Sequence, residues 1–416
     1  MALRVVVASA VVSRKVGQGL NRLGAFSLRA YPRAVSRLLV LVSSIIFVDA
    51  MLFTALTPLV PEYAREFDLS TLGAGVLVGA FGAGAVLGGV PGGLGAAKFG
   101  PKSAVVAGLT LLAVASFAFA LAGSLETLVA ARFVQGFAST TTWAGALAWI
   151  AMETPKSRRG AVLGTAFGAA VFGAVLGPVF GGFSDLVGVR VSFTTVGVVA
   201  LLFAALAWTA RSTRSEGVST AGVRRAFHDV RFVGGLWLNA LPAFLFGMLV
   251  VLAPLALADD GWSTLSIAFV FFVMLSLEAL VNPFLGRLSD RVGSLLPTRA
   301  ALAASTLVTA GLAAVSGAAA IAALVVVAGA SFGGFYAPGM SMTSHRADAV
   351  GLAQGLAFGI MNSAWALGAL AGPVVGGAVA VAVGDGVPYL LGTAACLLTL
   401  GATLRLVPRK TGAHAA

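Results

Sequence analysis

The sequence predicts an all-α integral membrane protein of twelve transmembrane helices, arranged as two pseudo-symmetric six-helix halves around a central cavity. Three observations predict it. Hydrophobic residues make up 59% of the chain and charged residues only 10%, against about 25% charged in an ordinary soluble domain. Apolar runs of roughly 20 residues, the length that crosses a bilayer's hydrocarbon, begin near Leu38, Thr71, Ser103, Leu128, Gly160, Val191, Val233, Thr264, Thr298, Ala319, Gly351 and Pro388. Two segments recur at nearly one offset: GAVLGPVFGG from Gly173 returns as GALAGPVVGG from Gly368, and GLGAAKFGPK from Gly93 corresponds to GRLSDRVGSL from Gly286. Helices satisfy their own backbone polar groups in lipid, and a shared offset points to a duplicated six-helix unit.

The elements follow in order. Residues 1–37 form a basic cytoplasmic segment carrying Arg4, Arg14, Lys15, Arg22, Arg29, Arg33 and Arg37 with no acidic residue. Val5–Val12 is short and lacks a small-residue cleavage site, which argues against a cleaved signal peptide. Val16, Leu20, Leu23 and Phe26 recur at helical spacing between basic residues, so the segment reads either as a helix lying on an anionic leaflet or as a disordered basic tail. Six spans occupy residues 38–210, a polar cytoplasmic linker residues 211–232, six further spans residues 233–407, and a cytoplasmic tail residues 408–416.

The formal charge of +12 is unevenly placed. Every second connection is basic, with Lys98 and Lys102, then Lys156, Arg158 and Arg159, then Arg211 to Arg231, then Arg287, Arg291 and Arg299, then Arg346. The alternate connections are mostly acidic, with Glu62, Glu66, Asp68, Glu126, Asp185, Asp259, Asp260 and Asp385. This positive-inside bias places both termini in the cytoplasm of a cell (inner or plasma) membrane. The basic excess is therefore an orientation signal and does not call for nucleic acid.

Chemistry of other kinds finds no support. Cys396 is the single cysteine, and His228, His345 and His414 lie in connections or the tail, so neither a metal site nor a histidine relay is expected. No Gly-x4-Gly-Lys-Ser/Thr, no His-Glu-x-x-His and no loop large enough to fold alone is present, which argues against an ATPase, a membrane enzyme, a signalling scaffold or any cofactor. No ring-forming filter motif suggests a channel.

An ionisable side chain at membrane depth costs at least about 2.5 kcal/mol, so each is a functional candidate. Three qualify: Asp49 in the first span, Arg132 in the fourth and Glu278 in the eighth. Arg132, Gln135, Ser139 and Trp143 share one helical stripe, as do Phe271, Met274, Glu278 and Asn282. Asn239, Tyr336, Asn362 and Trp365 are further candidates for the cavity wall. Structural alternatives are a backbone-bonded Asp49, an Arg132 that snorkels to the surface, and a Glu278 bonded to a neighbouring helix.

The motifs carry a resemblance. The loop after the second span has Gly84, Gly93, Ala97, Lys98, Gly100, Pro101 and Lys102 on the pattern G-x8-G-x3-D-[RK]-x-G-R-[RK], and its second copy keeps Gly286, Asp290, Arg291 and Gly293. The fifth span matches G-x8-G-x3-G-P-x2-G-G with Gly164, Gly173, Gly177, Pro178, Gly181 and Gly182, and the eleventh matches it with Gly359, Gly368, Gly372, Pro373, Gly376 and Gly377. On these motifs the chain resembles the major facilitator superfamily along almost its whole length, and within it the twelve-helix drug:proton antiporters. FVDAMLFTALTPLVPEY, around Asp49, is similar to the same segment of tetracycline exporters and vesicular monoamine transporters, and RFVQGF, from Arg132, to the fourth-helix motif R-x-x-Q-G.

The resemblance implies a transporter and not an enzyme, one that works by alternating access, with Asp49 binding the coupled proton or a cationic substrate and Arg132 influencing proton transfer. It implies that the glycine–proline helices gate, and that Asp290 takes over a loop latch weakened by Ala97. The expected activity is proton-coupled efflux of small amphipathic cationic or neutral compounds, with proton-coupled import of a metabolite as the alternative. The expected partners are a small-molecule substrate, protons and the lipid bilayer, with one chain sufficient because it contains both halves.

Overall fold

Glycine, serine and proline punctuate the helices of the computed structural model, which describes residues 33–155, 158–211, 222–352 and 354–404. The first half contains α1 (Arg33–Ala55), a 3₁₀ turn (Thr57–Leu59), α2 (Val60–Glu66), α3 (Thr71–Phe99), α4 (Pro101–Ala120), α5 (Leu125–Glu153), α6 (Arg159–Val187) and α7 (Val189–Thr209). A short α8 (Val223–His228) leads to the second half: α9 (Val230–Asp259), α10 (Thr264–Val292), α11 (Leu295–Ala314), α12 (Ala318–Gly333), α13 (Tyr336–Ala349), α14 (Gln354–Val383) and α15 (Val387–Leu404). α1 with α2 makes the first span and α12 with α13 the tenth.

Among the described residues, eleven helical segments are long and apolar enough to cross a membrane. The twelfth span is α5, which is 29 residues long but carries Arg132, Gln135 and Thr140 to Thr142. All five of those side chains are buried against protein, so the helix is polar toward its neighbours and not toward lipid. That is how it can span despite its composition.

The duplication is visible in the backbone. Ser70 caps α3 by accepting from the Gly73 amide, and Ser263, 193 positions later, caps α10 by accepting from Ser266. Gly100 and Gly293 end α3 and α10 at φ 93° with ψ 152° and φ 83° with ψ 157°, a region open essentially to glycine alone. This explains two glycines of the loop motif. Lys102 Nζ donates to the carbonyl of Ala210 just past the end of α7 at 2.9 Å, and Arg299 Nη2 donates to Thr403 at the end of α15 at 2.5 Å. Each half thus uses a basic residue at the start of its third span to satisfy an orphan carbonyl of its sixth.

The twin decamers pack alike. Gly173, Gly177 and Gly181 of α6 lie against Phe47, Met51 and Ala55 of α1, and Gly368, Gly372 and Gly376 of α14 lie against Ala240, Phe244 and Met248 of α9. Each partner is displaced by 193 positions between halves, and a Cβ at any of the six glycines would collide with its neighbour. Pro178 cannot donate to the carbonyl of Ala174, and Thr54 Oγ1 of α1 supplies the missing donor at 2.9 Å. The fourth glycine of each decamer does something else. Gly182 meets Leu265 and Ala268 of α10, and Gly377 meets Thr71 and Leu72 of α3, both across the boundary between halves.

Those crossings lie at the end of the bundle that carries the acidic connections. There α3 runs against α14, with Gly75, Gly79 and Gly82 meeting Ala369, Leu370, Pro373 and Val374. Gly89 still approaches Ser363, but toward the basic end Gly93, Gly95, Gly164, Gly168, Gly286 and Gly359 have nothing within 4 Å of an added Cβ. The halves therefore close at the acidic face and diverge at the basic face. The first glycine of each long motif, Gly164 and Gly359, makes no close approach here.

Each half has its own apolar core, and a third small cluster docks α8 onto the second half through Ala226, Phe232, Ala347 and Leu352. Asp229 caps α9 by accepting from the amides of Arg231 and Phe232 and forms an ion pair with Arg346 at the end of α13. The hydrogen-bonded guanidinium holds the Asp229 carboxyl below its ordinary range.

Candidate functional site

Asp49 sits in the apolar middle of α1 and is 4% exposed. Its Oδ2 accepts from Ser139 Oγ and from Trp143 Nε1, each at 2.7 Å. Those donors are one turn apart on α5, on the same stripe as Arg132 and Gln135, so a single helix face delivers all four groups. Arg132 is 1% exposed and therefore does not snorkel. Its Nη1 donates to Gln135 Oε1 at 3.1 Å, its guanidinium lies 4.9 Å from the Phe81 ring centre, and Gln135 in turn reaches Ser116. Asp49 and Arg132 form no ion pair, and Asp49 Oδ1 and Arg132 Nε each lack a protein partner.

The second half presents a different carboxylate. Glu278 on α10 is partly exposed and accepts from Asn282 one turn later. It lies in the groove left by Gly333 at the end of α12, where a Cβ would come within 2.6 Å of Glu278 Oε1. Tyr336, at the start of α13, faces it, and the Tyr336 hydroxyl accepts from Trp365 on α14. Asn362, one turn before Trp365, is exposed.

An aromatic series joins the two groups. The Phe53 ring of α1 is 5.0 Å from Phe81 and 5.2 Å, edge-on, from Trp365. With Ala85 and Ala366 these rings form an apolar cluster spanning both halves. It lies between the packed acidic face and the end where the halves diverge.

Other predicted residues fall elsewhere. Gln135 is fully buried inside the first half, and Asn239 is buried with its Nδ2 bonded to Gly235 of its own helix at 3.0 Å, so both lie within helix packing and not on the cavity wall. Lys98 rests over Phe99, and Arg291 is exposed at the end of α10. The Asp290 side chain, expected to act as a latch, lies outside the described residues. Phe53, Phe81 and Gly333 were not singled out in the sequence, because a phenylalanine or glycine in a membrane span carries no local mark of an interface.

Two six-helix halves thus meet at the acidic face and diverge at the basic face, each with a membrane-depth carboxylate. The sequence matches the profile of the Major Facilitator Superfamily over residues 42–358. The chain belongs to that superfamily. That superfamily is one of membrane-embedded small-molecule transporters, not of enzymes. Over 142 residues this superfamily member is 30% identical to the MFS-type transporter ppzB of Metarhizium rileyi, covering 33% of this chain and 29% of ppzB. It is 29% identical over 145 residues to the quinolone resistance protein NorA of Staphylococcus aureus, covering 35% of this chain and 37% of NorA. These matches span about a third of each curated relative.

Solved structures share the fold. A bacterial homologue of the human lysosomal transporter Spinster, inward-facing and unoccupied, has a TM-score of 0.71 at 15% identity, covering 90% of this chain and 96% of that one. The nucleoside transporter NupG has a TM-score of 0.69 at 16% identity, covering 90% of this chain and 100% of that one.

Proposed function

We propose that this transporter is a proton-coupled exporter of small amphipathic compounds, cationic or neutral, working by alternating access as a single chain in the cell membrane. The observation that carries the reading is one carboxylate per half, Asp49 and Glu278, in a pair of halves that pack together at one face and diverge at the other. The positive-inside rule assigns the basic face to the cytoplasm, so the closed acidic face is external and the cavity faces inward. Two carboxylates against one guanidinium give the cavity a negative bias, which suits cations over anions. The partial likeness to a quinolone resistance protein supports efflux.

The test uses proteoliposomes with a proton gradient and a lumenal pH dye. Lipophilic cations, neutral antibiotics and organic anions are added to wild type, Asp49→Asn and Glu278→Gln. Proton movement evoked by a cation or neutral compound in wild type and lost in both variants is expected. Robust export of an anionic sugar phosphate, or uptake driven by external acidity, would replace this reading with anion transport or metabolite symport.

A further inference from the structure

We propose that Glu278, and not Asp49, is the carboxyl at which proton and substrate exchange, and that its ligand is an organic cation seated against Tyr336 and Trp365. The inference rests on the transport reading above and deepens it. It begins with access. With the halves apart at the basic face, part of the Glu278 surface is left uncovered by protein, whereas Asp49 is 4% exposed. A group that exchanges ligands with the open side must be reachable from it.

The partners of the two carboxylates then divide their roles. Asp49 is faced by three groups of α5: Ser139 and Trp143 donate to it, and Arg132 is the charged group near it. Its charge is met by protein whichever way the cavity faces, provided α1 and α5 move as one half. Glu278 is met by the Asn282 amide on its own helix and by Tyr336 of α13, which is the titratable group that faces it; α12 contributes Gly333, and no Lys, Arg or His among the described residues acts on it. A carboxylate at membrane depth without a positive partner is costly, so its ionised form calls for a cation. Two can answer: a proton, or the ammonium or phosphonium centre of a ligand.

The surroundings favour the second answer when ligand is present. Tyr336 lies near Glu278 and is hydrogen-bonded to Trp365, so two aromatic rings stand in this part of the wall, and aromatic rings attract cations within about 6 Å. Gly333 leaves the space that the Glu278 side chain fills, so a side chain there would displace the carboxylate. The exchange balances: the Glu278 carboxylic acid loses its proton to water as the ligand cation binds, and regains one when the ligand leaves. Asp49, held by Ser139 and Trp143, ties α1 to α5.

The experiment measures binding separately from transport. Tetraphenylphosphonium is titrated into purified protein in weakly buffered detergent solution, with affinity and released protons recorded together. Wild type is expected to release protons on binding. Glu278→Gln should release none and bind at least about tenfold more weakly through the lost charge pairing. Glu278→Asp and Gly333→Ala, which keep a carboxyl but move it, should bind more weakly and still release protons. Asp49→Asn should still release protons on binding.

Proton release that persists in Glu278→Gln, or that vanishes in Asp49→Asn alone, would overturn the assignment. So would failure of wild type to bind the cation, and that result leaves the transporter reading standing. Binding-linked proton release in wild type without any proton-coupled flux in proteoliposomes would instead sink the exporter reading and leave the site assigned.

Discussion

Gly182 of α6 offers the sharpest perturbation, because it belongs to the repeated decamer yet touches the other half. A Cβ there would lie 2.8 Å from Ala268 Cβ and 3.4 Å from Leu265 on α10. Gly182→Leu adds further carbons at that crossing, and forcing extra bulk into packed protein costs about 1–3 kcal/mol. The crossing exists when the acidic face is closed, so the cost falls on that closed state and the halves' equilibrium shifts by about 5- to 150-fold toward opening at the acidic face, which is external in the proposed orientation. Gly173→Ala is the control, since its clash with Phe47 is inside one half and travels with it. The reporter is Val374→Cys, on α14 beside Gly75 and Gly79; the native Cys396 is buried and stays silent. In right-side-out vesicles a membrane-impermeant thiol reagent should label Val374→Cys at least about fivefold faster when Gly182→Leu is added, following the population shift. Unchanged labelling, or an equal rise with Gly173→Ala, would refute the claim that the fourth glycine seals the external face.

Other expectations concern single contacts. Thr54→Val leaves the Ala174 carbonyl without its donor and should destabilise the detergent-solubilised protein by about 1–3 kcal/mol. In a Pro178→Ala background the helix recovers its own amide donor, so a double-mutant cycle of thermal unfolding should show that loss shrink; full additivity would refute the proline argument. Asp229→Asn probes the linker. The folded carboxyl lies below its ordinary value of 3.8, so the pair's stabilisation is present above that pH and is lost as pH falls through the lower folded value. The melting-temperature gap between wild type and Asp229→Asn should be constant near neutrality and close below pH 3.8, and a gap unchanged at low pH would contradict the pair's role. Lys102→Met should weaken the tether of α4 to the end of α7, read as faster hydrogen exchange around Ala210, with residues near Thr403 unaffected.

Much of the architecture is legible in one dimension because membrane helices must be long, apolar and punctuated. α5 shows the limit of apolarity alone: its flanks and length mark a span although its threonines, glutamine and arginine dilute it. The stripe Arg132, Gln135, Ser139 and Trp143 was readable from spacing. Which members reach Asp49 was not, since that depends on the rotation of α5 against α1, and a helix's own periodicity holds no information about its neighbour. Ser139 and Trp143 turn toward Asp49, while Arg132 and Gln135 turn to each other. Asn239 misled for a related reason: a polar residue in a span can bond to its own backbone and need no cavity. The Phe53, Phe81 and Trp365 cluster joins residues from three helices and both halves, a proximity that exists after assembly and leaves no trace in local pattern.

The treatment of the two decamer prolines bears on how the chain could be recombined. In the first half Thr54 fills the donor role beside Pro178; at the corresponding place in the second half stands Gly247, where a Cβ would come within 2.5 Å of the Pro373 ring. The two copies therefore treat the proline differently, one supplying a donor and the other room for the ring, and each arrangement involves two helices. A chimaera that exchanged α1 for α9, or one decamer for the other, would set a hydroxyl against a proline ring in one half and strand a carbonyl in the other. The smallest interchangeable module is therefore the pair α1 with α6, or α9 with α14, and libraries that shuffle single spans should fail where those that shuffle intact pairs fold.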